Sequence, residues 1–97
     1  SKAGLKAMTE MLARDLAPQV RVCGIAPGLT LPSPYHSDEE FERLHHDNPL
    51  GAGPTTDDLV RALRFFRDSK PVSGQILSVD GGQHFDPRLT RDVFGAL

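Results

Sequence analysis

Residues 21–28 read Arg-Val-Cys-Gly-Ile-Ala-Pro-Gly, and with Val20 they form a short, largely apolar run bounded by Pro18 and Pro27. Such a run is typical of a strand, and Pro27 marks its exit because proline has no backbone N–H with which to continue a ladder. We predict a strand over residues 20–25. Its nearly continuous apolar character favours a buried strand of a parallel sheet.

An amphipathic helix is predicted before this strand, over residues 3–17, and Pro18 closes it. Apolar side chains recur there at helical spacing and form a single face. That face consists of Leu5, Met8, Leu12 and Leu16, and it is widened by Ala7 and Met11.

Two further helices are predicted from capping sequences. Ser37-Asp38-Glu39-Glu40 matches a capping box, with Ser37 as the N-cap and Glu40 able to reach back, and this helix runs to about Asp47. Thr55-Thr56-Asp57-Asp58 begins another helix, which ends near Ser69. The predicted inner faces are Phe41, Leu44 and His45 in the first helix and Leu59, Ala62, Leu63 and Phe66 in the second.

A second strand is predicted over residues 75–79, where Asp80-Gly81-Gly82 stops it. The succession of helices and strands predicts an α/β fold. Between Pro27 and His36, three prolines and a glycine interrupt any regular element, and a loop of this length in an α/β unit is often functional. The tail over residues 83–97 is apolar enough that we expect it to dock, and Phe85, Leu89 and Phe94 could bury against a neighbouring subunit.

Ser1-Lys2, the segment 21–28 and Val79-Asp80-Gly81-Gly82 occur in an order that resembles the C-terminal half of a short-chain dehydrogenase/reductase. The resemblance covers residues 1 to about 85. It implies that residues 1–97 are the C-terminal part of one Rossmann-type domain with a doubly wound parallel sheet, incomplete in this chain. The expected partner is then the N-terminal remainder of the same subunit, with residues 1–17 as the active-site helix and 27–54 as the substrate and cofactor loops.

The resemblance also implies the chemistry, a hydride transfer between NAD or NADP and a small carbonyl, alcohol or pteridine-like substrate. The family's catalytic tyrosine stands four residues before a lysine that Lys2 matches, and this spacing puts an ammonium beside a phenol and favours its ionised form. Ser1 is not the catalytic serine. The resemblance assigns cofactor contacts to Lys2, Pro27, Gly28, Leu29 and Thr30, and substrate contacts to Leu31, Tyr35 and His36.

Two positions depart from the family pattern. Cys23 stands where asparagine is usual, so the hydrogen bond expected there is weakened or replaced. Pro32 replaces a frequent threonine, which puts contacts to the cofactor pyrophosphate in doubt. Residues 27–31 and 80–83 resemble pteridine-reductase-like members, which use NADPH.

Two other readings stay open. A protein that keeps the scaffold as a non-catalytic binding or assembly module would lack tyrosine four residues before Lys2. An independent small domain would require this polypeptide alone to unfold cooperatively.

Composition bounds the remaining classes of function. The chain has 97 residues and a formal net charge of −2, and its scattered basic residues argue against nucleic acid as a partner. The single cysteine, Cys23, fits a reducing compartment such as the cytoplasm, and no apolar run is long enough for a membrane span. No metal-ligand spacing is present around His36, His45 or His46, so we predict no metal site. Family members are commonly homodimers or homotetramers.

Overall fold

The computed structural model describes residues 2–86 and 88 and shows an α/β arrangement. The elements in chain order are α1 (Lys2–Leu16), β1 (Gly24–Pro27), α2 (Asp38–His46), α3 (Thr56–Asp68), β2 (Ile76–Val79) and a 3-10 turn (Gln83–Phe85). The two strands are parallel, with Gly24 opposite Ile76 and Pro27 opposite Val79. The predicted fold class is confirmed, and only part of a Rossmann-type sheet lies within the described residues.

The first strand lies further along the chain than predicted. We expected residues 20–25, but the ladder begins at Gly24 and continues through Pro27. Val22 instead lies beside the turn that precedes β2, where its carbonyl accepts from Gly74 N–H at 2.7 Å and its N–H donates to Ser73 Oγ at 3.2 Å. The apolar run can be recognised in the sequence, but pairing with the partner strand decides which of its residues begins the hydrogen-bonded ladder.

Helix α1 forms as predicted, yet most of its apolar face is exposed in the described part of the chain. Only Thr9 and Ala13 are buried on this helix. The sheet within the described residues has only two strands, which is too few to cover the whole apolar face of α1. The exposed large side chains of α1 are Leu5, Met8, Met11, Leu12 and Leu16.

The caps of α2 and α3 confirm the capping predictions in part. Ser37 Oγ accepts from Glu40 N–H at 3.1 Å, which is one half of the expected box. At α3 the box is complete, because Asp58 N–H donates to Thr55 Oγ1 and Thr55 N–H donates to Asp58 Oδ2. This second bond is the main reason that the pKa of Asp58 lies below its ordinary value.

The inner face of α3 is narrower than predicted. Ala62 and Phe66 are buried and Leu59 is half-buried, as expected. Leu63 was predicted to lie on the same face, but 61% of it is exposed. The helix therefore meets the strands through one row of side chains. Every helix of residues 2–86 and 88 is too short or too polar to cross a bilayer.

Arg21 fastens the segment before β1 to the end of α3. Its Nη1 donates to the carbonyl oxygens of Phe66 at 2.7 Å, Ser69 at 3.0 Å and Val72 at 3.2 Å, and its Nη2 donates to that of Arg67 at 3.1 Å. The last carbonyls of a helix have no partner within the helix and carry the negative end of its dipole. One guanidinium thus binds two of the last carbonyls of α3, those of Phe66 and Arg67, and ties the segment before β1 to this helix end.

Arg21→Lys is expected to lower the free energy of unfolding by about 1–2 kcal/mol, because an ammonium cannot bridge several carbonyls spread in this way. Urea unfolding of the full-length protein measures the loss. Arg64→Lys on the exposed surface of α3 is the control, since Arg64 makes no hydrogen bond or ion pair with any described residue. Equal unfolding midpoints for the two variants would show that the contacts of Arg21 contribute nothing.

Candidate functional site

The turn that leaves β1 offers unpartnered backbone donors. Gly28 N–H donates to Val79 O at 3.0 Å and closes the ladder, and Thr30 Oγ1 donates to Gly28 O at 2.8 Å. The N–H groups of Leu29 and Thr30 make no hydrogen bond with any other residue that the structure describes. Two such donors at the carboxyl end of a parallel strand fit a carboxamide, such as that of a nicotinamide.

Gly28 must be glycine for a reason within the protein. A Cβ at this position would lie 2.9 Å from both Cα and Cβ of Asp80 and 3.2 Å from Gln83 Oε1. The absence of a side chain at Gly28 admits the turn after β2, which packs directly against the turn after β1.

Helix α1 begins at the same end of the sheet as this turn. Ala13 Cβ lies 3.5 Å from the Cβ position of Gly74, which precedes β2. The earlier residues Leu5, Lys6 and Glu10 line a cavity whose wall extends from Gly74 past Ser78 to His84, beyond the end of β2. The helix therefore runs antiparallel to the strands, and its first residue, Lys2, lies towards their carboxyl ends. The side chain of Lys2 and the whole of Ser1 lie outside the described residues, so the catalytic role of Lys2 stays a prediction.

The three predicted substrate residues differ in how far they are buried in the structure. Leu31 is 64% exposed and Tyr35 is 91% exposed. His36 is half-buried and lines a cavity that it shares with Leu29. Their assignment as substrate contacts remains a prediction, with His36 the best placed of the three.

The carboxylate of Asp80 holds the Asp80-Gly81-Gly82 turn through several hydrogen bonds. Asp80 is 6% exposed, and its carboxylate accepts from the N–H groups of Gly82 at 3.0 Å and His84 at 2.9 Å, and from the His84 imidazole. Gly81 and Gly82 both have positive φ, at 66° and 89°. The turn also holds the neighbouring loop, since Leu50 N–H donates to Gly81 O at 3.0 Å.

The thiol of Cys23 makes a hydrogen bond of its own. Its Sγ donates to Val72 O at 3.6 Å, a distance suited to sulfur, and the residue is half-buried. This bond links the segment before β1 to the turn before β2.

Sequence reasoning missed an ionic clamp that holds the end of α2. Arg88 Nη2 binds Asp86 at 2.9 Å and Asp47 at 3.2 Å, although Asp47 and Arg88 are 41 positions apart. The hydrogen bonds that Arg88 donates to Asp86, followed by the charges of both carboxylates, raise the pKa of Arg88 above its ordinary value. No local sequence pattern predicts the contact between Arg88 and Asp47, because it depends on where the end of α2 meets the segment that carries Arg88.

The histidines of α2 are used within the protein. His45 Nε2 lies 2.9 Å from Pro54 O and His46 Nδ1 lies 2.9 Å from Gly51 O, so both rings donate to backbone carbonyls. Within residues 2–86 and 88, no group of three or more metal-ligating side chains is close enough to hold an ion.

Parallel strands, an antiparallel helix and open donors at the strand ends define an α/β protein of the nucleotide-binding type. A sequence model of the family described as Enoyl-(Acyl carrier protein) reductase matches residues 1–84. The chain belongs to this family of short-chain dehydrogenases/reductases.

Named relatives agree with this membership. The chain is 33% identical over 84 residues to dihydromonapterin reductase of Escherichia coli O6:K15:H31, covering 87% of this chain and 35% of that protein. It matches FolM alternative dihydrofolate reductase 1 of Brucella suis in complex with NADP, with a TM-score of 0.81 and 42% identity over 89% of this chain and 35% of that one. The 3-ketoacyl-(acyl-carrier-protein) reductase of Brucella melitensis complexed with NADH matches with a TM-score of 0.65 and 29% identity, over 84% of this chain and 34% of the other. The chain thus spans about a third of the length of these relatives.

Proposed function

We propose that this chain is the C-terminal part of an NAD(P)-dependent reductase subunit whose substrate is pteridine-like. The observation that carries the proposal is the pair of unpartnered N–H groups on Leu29 and Thr30, at the sheet end towards which α1 begins. The likeness to a dihydromonapterin reductase and to an alternative dihydrofolate reductase supports the substrate class. The bound cofactor would supply the hydride, and the protein would position it and manage a proton.

We assign roles to the individual residues from the family resemblance. Leu29 and Thr30 would hold the carboxamide through their N–H groups, and Pro27 and Gly28 would fix the turn that presents them. Lys2 would bind the nicotinamide ribose and lower the pKa of the family's catalytic tyrosine, since a nearby cation favours the phenolate. Leu31, Tyr35 and His36 would contact the substrate from the following loop.

The cofactor, assembly and location are part of the same proposal. NADP is favoured over NAD because the Brucella suis protein was crystallised with NADP. Exposed apolar side chains on α1 and α3 support burial against the rest of the subunit and against further copies, in a homodimer or homotetramer. The free thiol of Cys23 supports a cytoplasmic location.

The test is a comparison of substrates with the full-length protein. A dihydropteridine and an acetoacetyl thioester are each offered with NADPH or NADH, and a sugar alcohol is offered with the oxidised cofactor. The change in NADPH or NADH absorbance is followed in each assay. We expect NADPH-dependent reduction of the dihydropteridine to have the highest kcat/KM. Activity confined to the thioester or the sugar alcohol would reject the pteridine-like substrate, and no turnover with any substrate would favour the binding module.

A further inference from the structure

The cavity that His36 shares with Leu29 has one wall formed by the end of α2. Its volume is about 180 Å³, and Leu44 and Asp47 line it from α2 while Gln83 lines it from the segment after β2. Because Leu29 belongs to the turn whose N–H groups are open, the cavity adjoins the proposed cofactor contacts. The position of α2 therefore decides the shape of this cavity.

Helix α2 has few contacts of its own that would keep it in this position. Within the part of the chain that the structure describes, none of its residues is buried. Its C-cap, Asp47, places a carboxylate at the negative end of the helix dipole, where a negative charge is disfavoured. The helix itself gains nothing from an aspartate there, which points to a partner outside the helix.

That partner is Arg88, whose Nη2 donates to Asp47 Oδ1 at 3.2 Å. The guanidinium is oriented by Asp86, because Nε donates to Oδ1 at 3.2 Å and Nη2 donates to Oδ2 at 2.9 Å. The Asp86 side chain is only 6% exposed, and its backbone N–H donates to Gln83 O at 3.1 Å. Arg88 thus joins the end of α2 to the segment that follows β2.

We infer that Arg88 is a positioning residue, which holds α2 beside the cavity through Asp47 and thereby sets the KM for the substrate. This inference rests on the proposed function and adds to it a residue that acts through α2. The side chains of Arg88 and Asp47 are 65% and 51% exposed. The pair is therefore of modest strength and weakens as salt is added.

Asp47→Asn is the principal variant, because it removes the ion pair and leaves Arg88 bound to Asp86. The neutral amide also suits the end of a helix better than a carboxylate does. Its matched control is Asp57→Asn in the first turn of α3, since Asp57 is also exposed and pairs with Arg61 at 2.8 Å, but does not line the cavity. Arg88→Met and its double variant with Asp47→Asn complete a double-mutant cycle.

Amide hydrogen exchange of the full-length protein measures how firmly α2 is held. Exchange over residues 38–46 should be faster in Asp47→Asn than in the wild type. It should be unchanged in Asp57→Asn. Because asparagine is the better residue for the helix end, faster exchange in Asp47→Asn reports the lost ion pair.

Kinetics with NADPH and an uncharged dihydropteridine measure the effect on the cavity. KM for the dihydropteridine should rise about threefold in Asp47→Asn, the modest effect of an exposed ion pair, with kcat and KM for NADPH unchanged. The double variant should have the same KM as Arg88→Met alone, because the pair is already broken in both. Added salt should bring the KM of the wild type towards that of Asp47→Asn.

The outcomes separate the inference from the proposed function. If the wild-type protein reduces the dihydropteridine and Asp47→Asn does so with the same KM, the inference is wrong and the proposed function stands. Unchanged exchange over α2 in Asp47→Asn would also overturn the inference, and so would a rise in KM that Asp57→Asn shares. A wild-type protein that does not reduce the dihydropteridine would remove both.

Discussion

Lys2→Ala is expected to lower kcat of the full-length protein in the proposed reduction by about a hundredfold or more, the usual contribution of a positioned acid or base. The residue begins α1, which runs antiparallel to the strands and so starts towards their carboxyl ends, where the N–H groups of Leu29 and Thr30 are open. Without the ammonium, the tyrosine that the family places four residues earlier would lose the charge that favours its phenolate. Steady-state kinetics with saturating NADPH measures the loss.

The pH profile distinguishes this role from a structural one. Removing a neighbouring cation raises the pKa of a phenol towards its ordinary value near 10, so the apparent pKa of kcat should move upwards in Lys2→Ala. Lys6→Ala is the matched control, because Lys6 carries the same charge on the same helix and is exposed. If Lys2→Ala and Lys6→Ala turn over alike, Lys2 has no part in the mechanism.

The sequence predicted the features that local chemistry decides. Ser37 and Thr55 cap their helices because hydroxyl side chains reach the N–H groups three residues on, whatever the rest of the fold does. The glycines after β2 adopt positive φ because glycine has no Cβ to clash there, which is also a local property of the residue. The parallel pairing followed from the succession of helices and strands, which leaves few topologies.

Features that depend on distant partners escaped prediction. The start of β1 is set by Ile76 on the other strand, and Leu63 of α3 is exposed because only one row of the helix meets the strands. The carbonyls that Arg21 binds lie 45 or more positions away. In the site, the sequence named Leu29, Thr30 and His36 through the family resemblance. It could not tell that His36 lines a cavity while Tyr35 is exposed.

Gly81→Ala is expected to lower the free energy of unfolding of the full-length protein by about 2–5 kcal/mol, from backbone strain and overpacking together. Gly81 has a φ of 66°, and a Cβ would lie 2.6 Å from Ala52 O and 2.7 Å from the Asn48 amide. The Asn48 side chain cannot move freely, because it binds both His45 O and Leu50 N–H. Urea unfolding measures the change.

Gly51→Ala separates the two causes, because Gly51 has a φ of 77° but nothing within 4 Å of its Cβ position. That variant should lose only the strain of about 1–2 kcal/mol, so the excess in Gly81→Ala measures the contact between the two loops. The same contact holds Asn48, which forms part of the wall of the cavity that His36 also lines. Gly81→Ala should therefore also raise KM for the substrate, whereas Gly51→Ala should not. Equal losses of stability in the two variants would mean that the loop yields to the added methyl group, and that the turn after β2 does not fix the cavity wall.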